Sequence, residues 1–170
     1  MYDTIIIGSG PAGLTAGIYA SRSKLKTLML TSQANPSLIT TTDIVENYPG
    51  FPGGINGYDL IERFKEQAVS FGLEVVEDDV ISLEQITHDG KEAWRANTHE
   101  AAYEAFTVIL ATGTEYARLD VPGEQEYTGR GVSYCATCDA PFYRDAHVAV
   151  VGGGNAAIQE ALFLTRFARK

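Results

Sequence analysis

The chain has 170 residues, 45% of them hydrophobic and 21% charged, which suffices for one packed domain or one domain and part of another. Its formal charge of −9 argues against a DNA or RNA partner, because phosphate recognition rests on clustered Lys and Arg. The opening MYDTIIIGSG has no basic n-region or long apolar core, apolar runs are strand-length rather than membrane-length, and two cysteines do not make a secreted disulfide scaffold, so a soluble cytoplasmic protein is expected.

In chain order, a β-branched run at residues 4–7 predicts a strand, GSGPAG a glycine turn, residues 12–21 a helix and residues 26–31 a second strand. A region rich in Thr, Asn, Pro and Gly follows at residues 31–57 and reads as loop. A helix is predicted over residues 58–71, where Leu60, Ile61, Phe64, Ala68 and Phe71 share a face, with Gly72 placed to end it. Residues 73–107 carry short alternating segments, with His88-Asp89-Gly90-Lys91 as a hairpin turn. Residues 108–111 read as a buried strand closed by Thr112-Gly113. Pro122-Gly123 and several charges break the composition over residues 116–131, placing a domain boundary near Glu115. The cysteine pair comes next, followed by a predicted strand at residues 147–151, a second glycine turn and a helix over residues 155–167.

Gly8-Ser9-Gly10-Pro11-Ala12-Gly13 fits G-x-G-x-x-G between a strand and a helix. In that setting one glycine makes the tight turn, one admits a pyrophosphate to the backbone, and one lets the helix pack on the sheet, whose N-terminal N–H groups face the diphosphate. A purely structural glycine turn is the alternative. The acidic residue that usually holds the ribose is absent; the place reads Leu30-Thr31-Ser32-Gln33, whose hydroxyl and amide groups are weaker ribose ligands. Gly152-Gly153-Gly154-Asn155-Ala156-Ala157 fits G-x-G-x-x-A and repeats the phosphate-cradling pattern, with Gly152, Gly154, Asn155 and Ala156 as candidate contacts.

Between the two turns stands SYCATCD, with the only cysteines, Cys135 and Cys138. A structural zinc needs about four ligands, and His88, His99 and His147 show no paired spacing, so no metal is expected. An inert disulfide across so short a loop would add little constraint, whereas C-x-x-C at a helix start suits reversible redox chemistry. Asp139 is either a proton relay for the dithiol or, more plainly, a solvated charge or a helix cap. Two dinucleotide turns flanking a dithiol describe an oxidoreductase carrying electrons from a nicotinamide through a flavin to a disulfide.

These segments, GSGPAGLTAGIYASR, TTTDIVENYPGFPGGINGYDLIERFKEQAVSFG, VILATG and GRGVSYCATCDAPFYRDAHVAVVGGGNAAIQEALFL, resemble low-molecular-weight, bacterial-type thioredoxin reductase in order and spacing over nearly the whole chain. The resemblance implies two Rossmann-like α/β domains in a homodimer that passes electrons from NADPH to FAD, to the C-x-x-C disulfide, and to thioredoxin. Residues 1–115 would be the FAD-binding domain, incomplete at its C-terminal segment, and residues 116–170 the start of the NADPH-binding domain. Cys138 matches the cysteine beside the flavin, Cys135 the one that attacks thioredoxin, and Asp139 the active-site acid. Ser9, Gly10, Pro11 and Ala12 match the flavin diphosphate turn between Gly8 and Gly13; Asn47 and Val80 match flavin contacts; Thr31, Ser32, Ala111, Thr112 and Gly113 complete the candidate cofactor site.

Two departures stand out. Pro36, Ser37 and Leu38 replace the family's Gly-Gly-Gln, and a leucine cannot make the glutamine's hydrogen bonds to FAD. Family members are nearly twice as long, so the rest of the nicotinamide domain is expected beyond Lys170, and the 170 residues alone are not expected to turn over with NADPH. A peroxiredoxin-reducing flavoprotein and a flavin-binding module without catalysis are the alternatives.

Overall fold

Ile5, Ile6 and Ile7 are packed on both faces of the first strand, which is why the sequence runs apolar rather than alternating. The computed structural model describes residues 1–32 and 37–170. The chain divides into two units, Met1–Thr114 and Glu115–Lys170, each described separately below.

In the first unit, β1 (Tyr2–Ile7) leads through α1 (Pro11–Arg22) to β2 (Thr27–Thr31), which pairs parallel to β1 with Ile6 opposite Met29. Proline opens α1, where its missing N–H costs nothing and its fixed φ suits the helix. A 3-10 turn (Leu38–Thr41) and a loop held by the Val45–Ile55 bridge lead into α2 (Gly57–Ser70). The Asn56 side chain caps α2 by accepting from the N–H groups of Tyr58 and Asp59. Gly72 (φ 97°) ends it in a Schellman motif, with Gly72 N–H on the Val69 carbonyl and Leu73 N–H on that of Ala68.

Then follow β3 (Glu74–Glu77), β4 (Val80–His88), β5 (Lys91–Thr98) and β6 (Ala102–Leu110), giving one sheet of order β3-β2-β1-β6-β5-β4. β3, β2, β1 and β6 are mutually parallel, while β4, β5 and β6 form an antiparallel meander. Asp89 (φ 49°) and Gly90 (φ 75°) make the β4–β5 turn, the two left-handed positions of a type I′ hairpin. On one face of the sheet Ile6 and Met29 pack against Leu14 of α1 and Ile61 and Ala68 of α2. On the other, Ile5, Ile7, Leu28 and Leu30 pack against Ala96 and Ala105, so the meander folds back over the parallel strands.

Two expectations for this unit change. Phe71 does not share the buried face of α2: it is the residue after the helix, 38% exposed, under the Arg22 guanidinium. The strand expected at residues 108–111 forms as the end of β6, yet Ile109 and Leu110 are 38% and 66% exposed. The reason is register: β5 pairs with β6 only from Ala102 to Ala105, so the second half of β6 has β1 on one edge alone.

The second unit contains α3 (Glu124–Tyr127), α4 (Ala136–Asp139), a 3-10 turn (Ala140–Tyr143) and α5 (Asn155–Leu164), which ends three residues before the predicted limit. The strand expected at residues 147–151 is not formed. A strand exists through its ladder, and among the described residues this stretch makes one backbone bond, Val148 N–H to the Lys170 carbonyl, with a second, Arg169 N–H to the Ala146 carbonyl, just before it. Val150 and Val151 lie 40% and 67% exposed beyond them. Among the described residues no helix is long and apolar enough to cross a membrane.

Candidate redox site

The predicted glycine turn lies where β1 hands over to α1, at the point where the sheet order reverses between β1 and β6. Open parallel sheets bind ligands at such reversals, outside the carboxyl ends of the strands. Here the backbones are in contact: a Cβ on Gly8 (φ 106°) would sit 2.2 Å from the Ala111 carbonyl oxygen, and one on Gly13 only 1.9 Å from that of Gly8. Gly10, in contrast, faces only the Ser37 side chain among the described residues, its hydroxyl 3.2 Å from where the Cβ would be. No side chain caps α1, which begins at an extended Gly10.

Ser9 and Thr31 hydroxyls share a short hydrogen bond of 2.5 Å, joining a residue of the expected diphosphate turn to one of the expected ribose place. A cleft beside them is lined by Ser9, Thr31, Ser32, Ser37, Thr40 and Lys65. Ala111 stands against Gly8, Gly113 takes a left-handed turn (φ 74°), and Val80 opens β4. Asn47 is exposed in the loop before Tyr48, which packs on Phe64 of α2 at 5.2 Å between ring centroids. Of the family's replaced Gly-Gly-Gln positions, Pro36 lies outside the described residues, Ser37 lines the cleft, and Leu38 begins the 3-10 turn, 41% exposed. Gln33 also lies outside the described residues.

Sequence reasoning passed over Gly57. A Cβ there would meet the Ile39 carbonyl oxygen at 1.8 Å, and the Gly57 N–H bonds to the Thr42 carbonyl, so this glycine presses the 3-10 turn onto the start of α2. Nothing in a lone N-terminal glycine signals that contact; it depends on a loop 15 residues upstream.

In the second unit Cys135 and Cys138 are joined as a disulfide. Cys135 is the N-cap of α4: its Sγ accepts the Cys138 N–H at 3.3 Å and touches the Thr137 hydroxyl at 3.8 Å. The Asp139 carboxylate makes no capping bond and instead accepts from the Ser133 hydroxyl at 2.6 Å, which speaks against the helix cap among its expected roles. Tyr143 has its phenol pKa raised, first by burial and then by the nearby Asp139 charge. Gly152 (φ 144°), Gly154, Asn155 and Ala156 form the turn into α5, again with no side-chain cap. Gly153 and Gly154 face open space, unlike the packed first turn.

The loop entering the cysteines is held by Glu124, which is 7% exposed. Its carboxylate accepts the Leu119 and Asp120 N–H groups and the Tyr134 hydroxyl at 2.6 Å, while Tyr134 stacks on Tyr116. The Tyr134 hydrogen bond, followed by the Leu119 N–H, lowers the Glu124 pKa against the opposing effect of burial; the same bond raises that of Tyr134. A carboxyl depressed by folding stabilises the fold above its unfolded pKa, and that contribution disappears as pH falls through the folded value. The protection of the Leu119 and Asp120 amides, taken relative to their intrinsic exchange rates, should therefore be lost on acidification only below the ordinary glutamate range. In Glu124→Gln both amides should exchange rapidly at neutral pH, with the acid step gone; slow exchange there would show that the carboxylate does not hold the loop.

Among the described residues no three His, Cys, Asp or Glu side chains gather where a metal ion could be held. The family model for pyridine nucleotide-disulphide oxidoreductases matches residues 2–170. The chain is 47% identical over 167 residues to a thioredoxin reductase of Treponema pallidum, covering 97% of this chain and 52% of that protein. It is 49% identical to one from Peptoclostridium acidaminophilum, covering 100% of this chain and 53% of the relative. The crystal structure of a Streptococcus pyogenes thioredoxin reductase superposes with a TM-score of 0.90 at 46% identity, over 100% of this chain and 54% of that one. The chain thus spans about half the length of the curated relatives it matches.

Proposed function

Because this chain belongs to the pyridine nucleotide-disulphide oxidoreductase family, we propose that it carries the flavin turn and redox dithiol of a cytoplasmic, homodimeric thioredoxin-disulfide reductase. Residues 1–115 form the FAD-binding part, and residues 116–170 carry the dithiol and the opening of the NADPH-binding domain. The observation that carries the reading is the Cys135–Cys138 disulfide in a helix-capping turn, with an acid one residue on, in a chain with two glycine turns.

The residues present suit a dinucleotide. Only glycine fits at Gly8 and Gly13, the start of α1 is uncapped, and the hydroxyls of Ser9, Thr31 and Ser37 line the adjoining cleft. Thr112, Gly113, Asn47 and Val80 complete the proposed FAD contacts, and Gly152, Gly154, Asn155 and Ala156 begin the NADPH site. When bound, FAD supplies two-electron transfer between NADPH and the disulfide.

The chain's own chemistry follows from the thiols. Two electrons and two protons open the Cys135–Cys138 bond to a dithiol. The Cys135 thiolate then attacks the thioredoxin disulfide, forming one mixed S–S bond and releasing one thioredoxin thiolate, which takes a proton. Cys138 attacks Cys135 Sγ in turn, restoring the original disulfide and freeing reduced thioredoxin. Asp139 exchanges the protons.

Two measurements test the two halves of the reading. The purified chain soaked in FAD should retain a bound-flavin visible spectrum after desalting; a colourless protein would remove the FAD assignment from residues 1–115. A chain reduced with dithiothreitol and freed of reagent should reduce oxidised thioredoxin in stoichiometric amount. If it leaves thioredoxin oxidised, thioredoxin is not the acceptor.

A further inference from the structure

The hydroxyl of Ser133 stands at the centre of the dithiol turn. It donates to Asp139 Oδ2 at 2.6 Å, within the range of a charge-assisted O–H···O bond, and accepts the Cys135 N–H at 3.1 Å. The Cys135 carbonyl lies farther, at 3.4 Å, so the single hydroxyl proton belongs to the carboxylate. The result is a continuous chain from the Cys135 amide through the serine oxygen to Asp139, in which each bond polarises the next. We infer that Ser133 is a positioning residue for the redox pair: it holds the Asp139 carboxyl at the turn and ties it to the backbone of Cys135.

The inference rests on the reading that Cys135–Cys138 is redox-active, and it adds a residue outside the C-x-x-C pair that bonds to the Cys135 backbone. Asp139 has no other side-chain hydrogen-bond partner named among the described residues, and its backbone N–H is already engaged with the Cys135 carbonyl. Without the serine hydroxyl the carboxyl is free to turn to solvent. The titratable group facing it from the next turn is Tyr143, which bears no charge near neutral pH because burial and the Asp139 charge both raise its pKa. Ser133 therefore supplies the local donor that orients the acid.

The chemistry that reads this out needs no bound cofactor. A dithiothreitol thiolate attacks one cystine sulfur; the Cys135–Cys138 bond breaks, and its electron pair leaves on the other sulfur, which is protonated. The second reagent thiolate closes the reagent into its cyclic disulfide and releases the first cysteine as a thiolate, which is protonated in turn. Protonation of the departing sulfurs is where the oriented carboxylate acts, taking each proton from water and passing it to the thiolate.

The experiment is the pH–rate profile of this reduction in the intact chain, followed by thiol titration, for the parent, S133A, S133T, D139N and S133A/D139N. S133A should react roughly fivefold more slowly near neutral pH, the effect of one partly exposed charge-assisted hydrogen bond, and should take on the D139N profile. The double variant should be no slower than D139N, and S133T, which keeps the hydroxyl, should follow the parent. A parent-like S133A profile, or full additivity of S133A with D139N, overturns the inference. If S133A loses its circular dichroism spectrum, Ser133→Gly removes the same hydroxyl and carries the same comparison. A parent that is reduced normally but passes nothing to thioredoxin would sink the proposed acceptor while leaving this comparison intact.

Discussion

Gly13→Ala should abolish the proposed flavin uptake and destabilise the first unit by about 3 kcal/mol, the upper range for forcing an atom into a packed interior. The added Cβ would lie 1.9 Å from the Gly8 carbonyl oxygen and 3.4 Å from the Ala111 side chain. The first of these is backbone, which no rotamer change can move aside, so α1 must lift from β1 and the turn between them must open. Denaturant unfolding reports the stability loss, and the visible spectrum after FAD soaking reports the site.

Gly10→Ala separates the two effects. Among the described residues its Cβ would press only on the Ser37 hydroxyl at 3.2 Å, which a rotamer change relieves, so the unit should keep its unfolding midpoint. The same methyl stands where a diphosphate would approach the backbone, so flavin uptake should still fall. Gly153→Ala, with nothing within 4 Å, is the neutral control for stability. A Gly13→Ala chain as stable and as yellow as the parent would mean that the turn is neither tight nor a nucleotide cradle.

With thioredoxin as the proposed acceptor, serine at either cysteine should end transfer of electrons to it, and the two replacements should fail differently. In Cys138→Ser the Cys135 thiolate should still attack the thioredoxin disulfide, and only back-attack by the released thioredoxin thiolate undoes the mixed disulfide, so alkylation of free thiols should trap a covalent adduct that dithiothreitol reverses. In Cys135→Ser no adduct should form. The asymmetry has a local physical origin: Cys135 Sγ receives the Cys138 N–H and lies beside the Thr137 hydroxyl, both of which stabilise negative charge on that sulfur. Non-reducing electrophoresis with thioredoxin distinguishes the variants, and adduct formation by Cys135→Ser instead would reverse the assigned roles.

Much of this protein was legible from local chemistry. β1 and β2 were readable because strands covered on both faces must be continuously apolar, and α1 because proline and glycine punctuate its start. Asp89-Gly90 announced its turn because only residues tolerant of positive φ complete a type I′ hairpin. The cysteine spacing, the acid beside it and both glycine turns were likewise visible without coordinates.

Failures came where the outcome depended on a distant neighbour. Phe71 obeys helical spacing, yet the Schellman turn at Gly72 ends the helix before it and leaves it beneath Arg22. Residues 147–151 have strand composition, but composition does not provide a ladder partner, and the segment stays irregular. Glu124 reads as one acid among 22 Asp and Glu, and becomes the clasp of the dithiol loop only when Leu119, Asp120 and Tyr134 converge on it.

The amino-acid order alone determined the alternation of strand, turn and helix, the two glycine turns and the redox pair, because those follow from φ/ψ preference, hydrophobic period and the chemistry of C-x-x-C. Tertiary structure decided which glycines are indispensable, which hydroxyls meet, and where the Asp139 carboxyl points. Those depend on contacts such as Gly8 with Ala111 and Gly57 with Ile39, whose residues lie far apart in sequence and meet only when the sheet and its covering helices have closed.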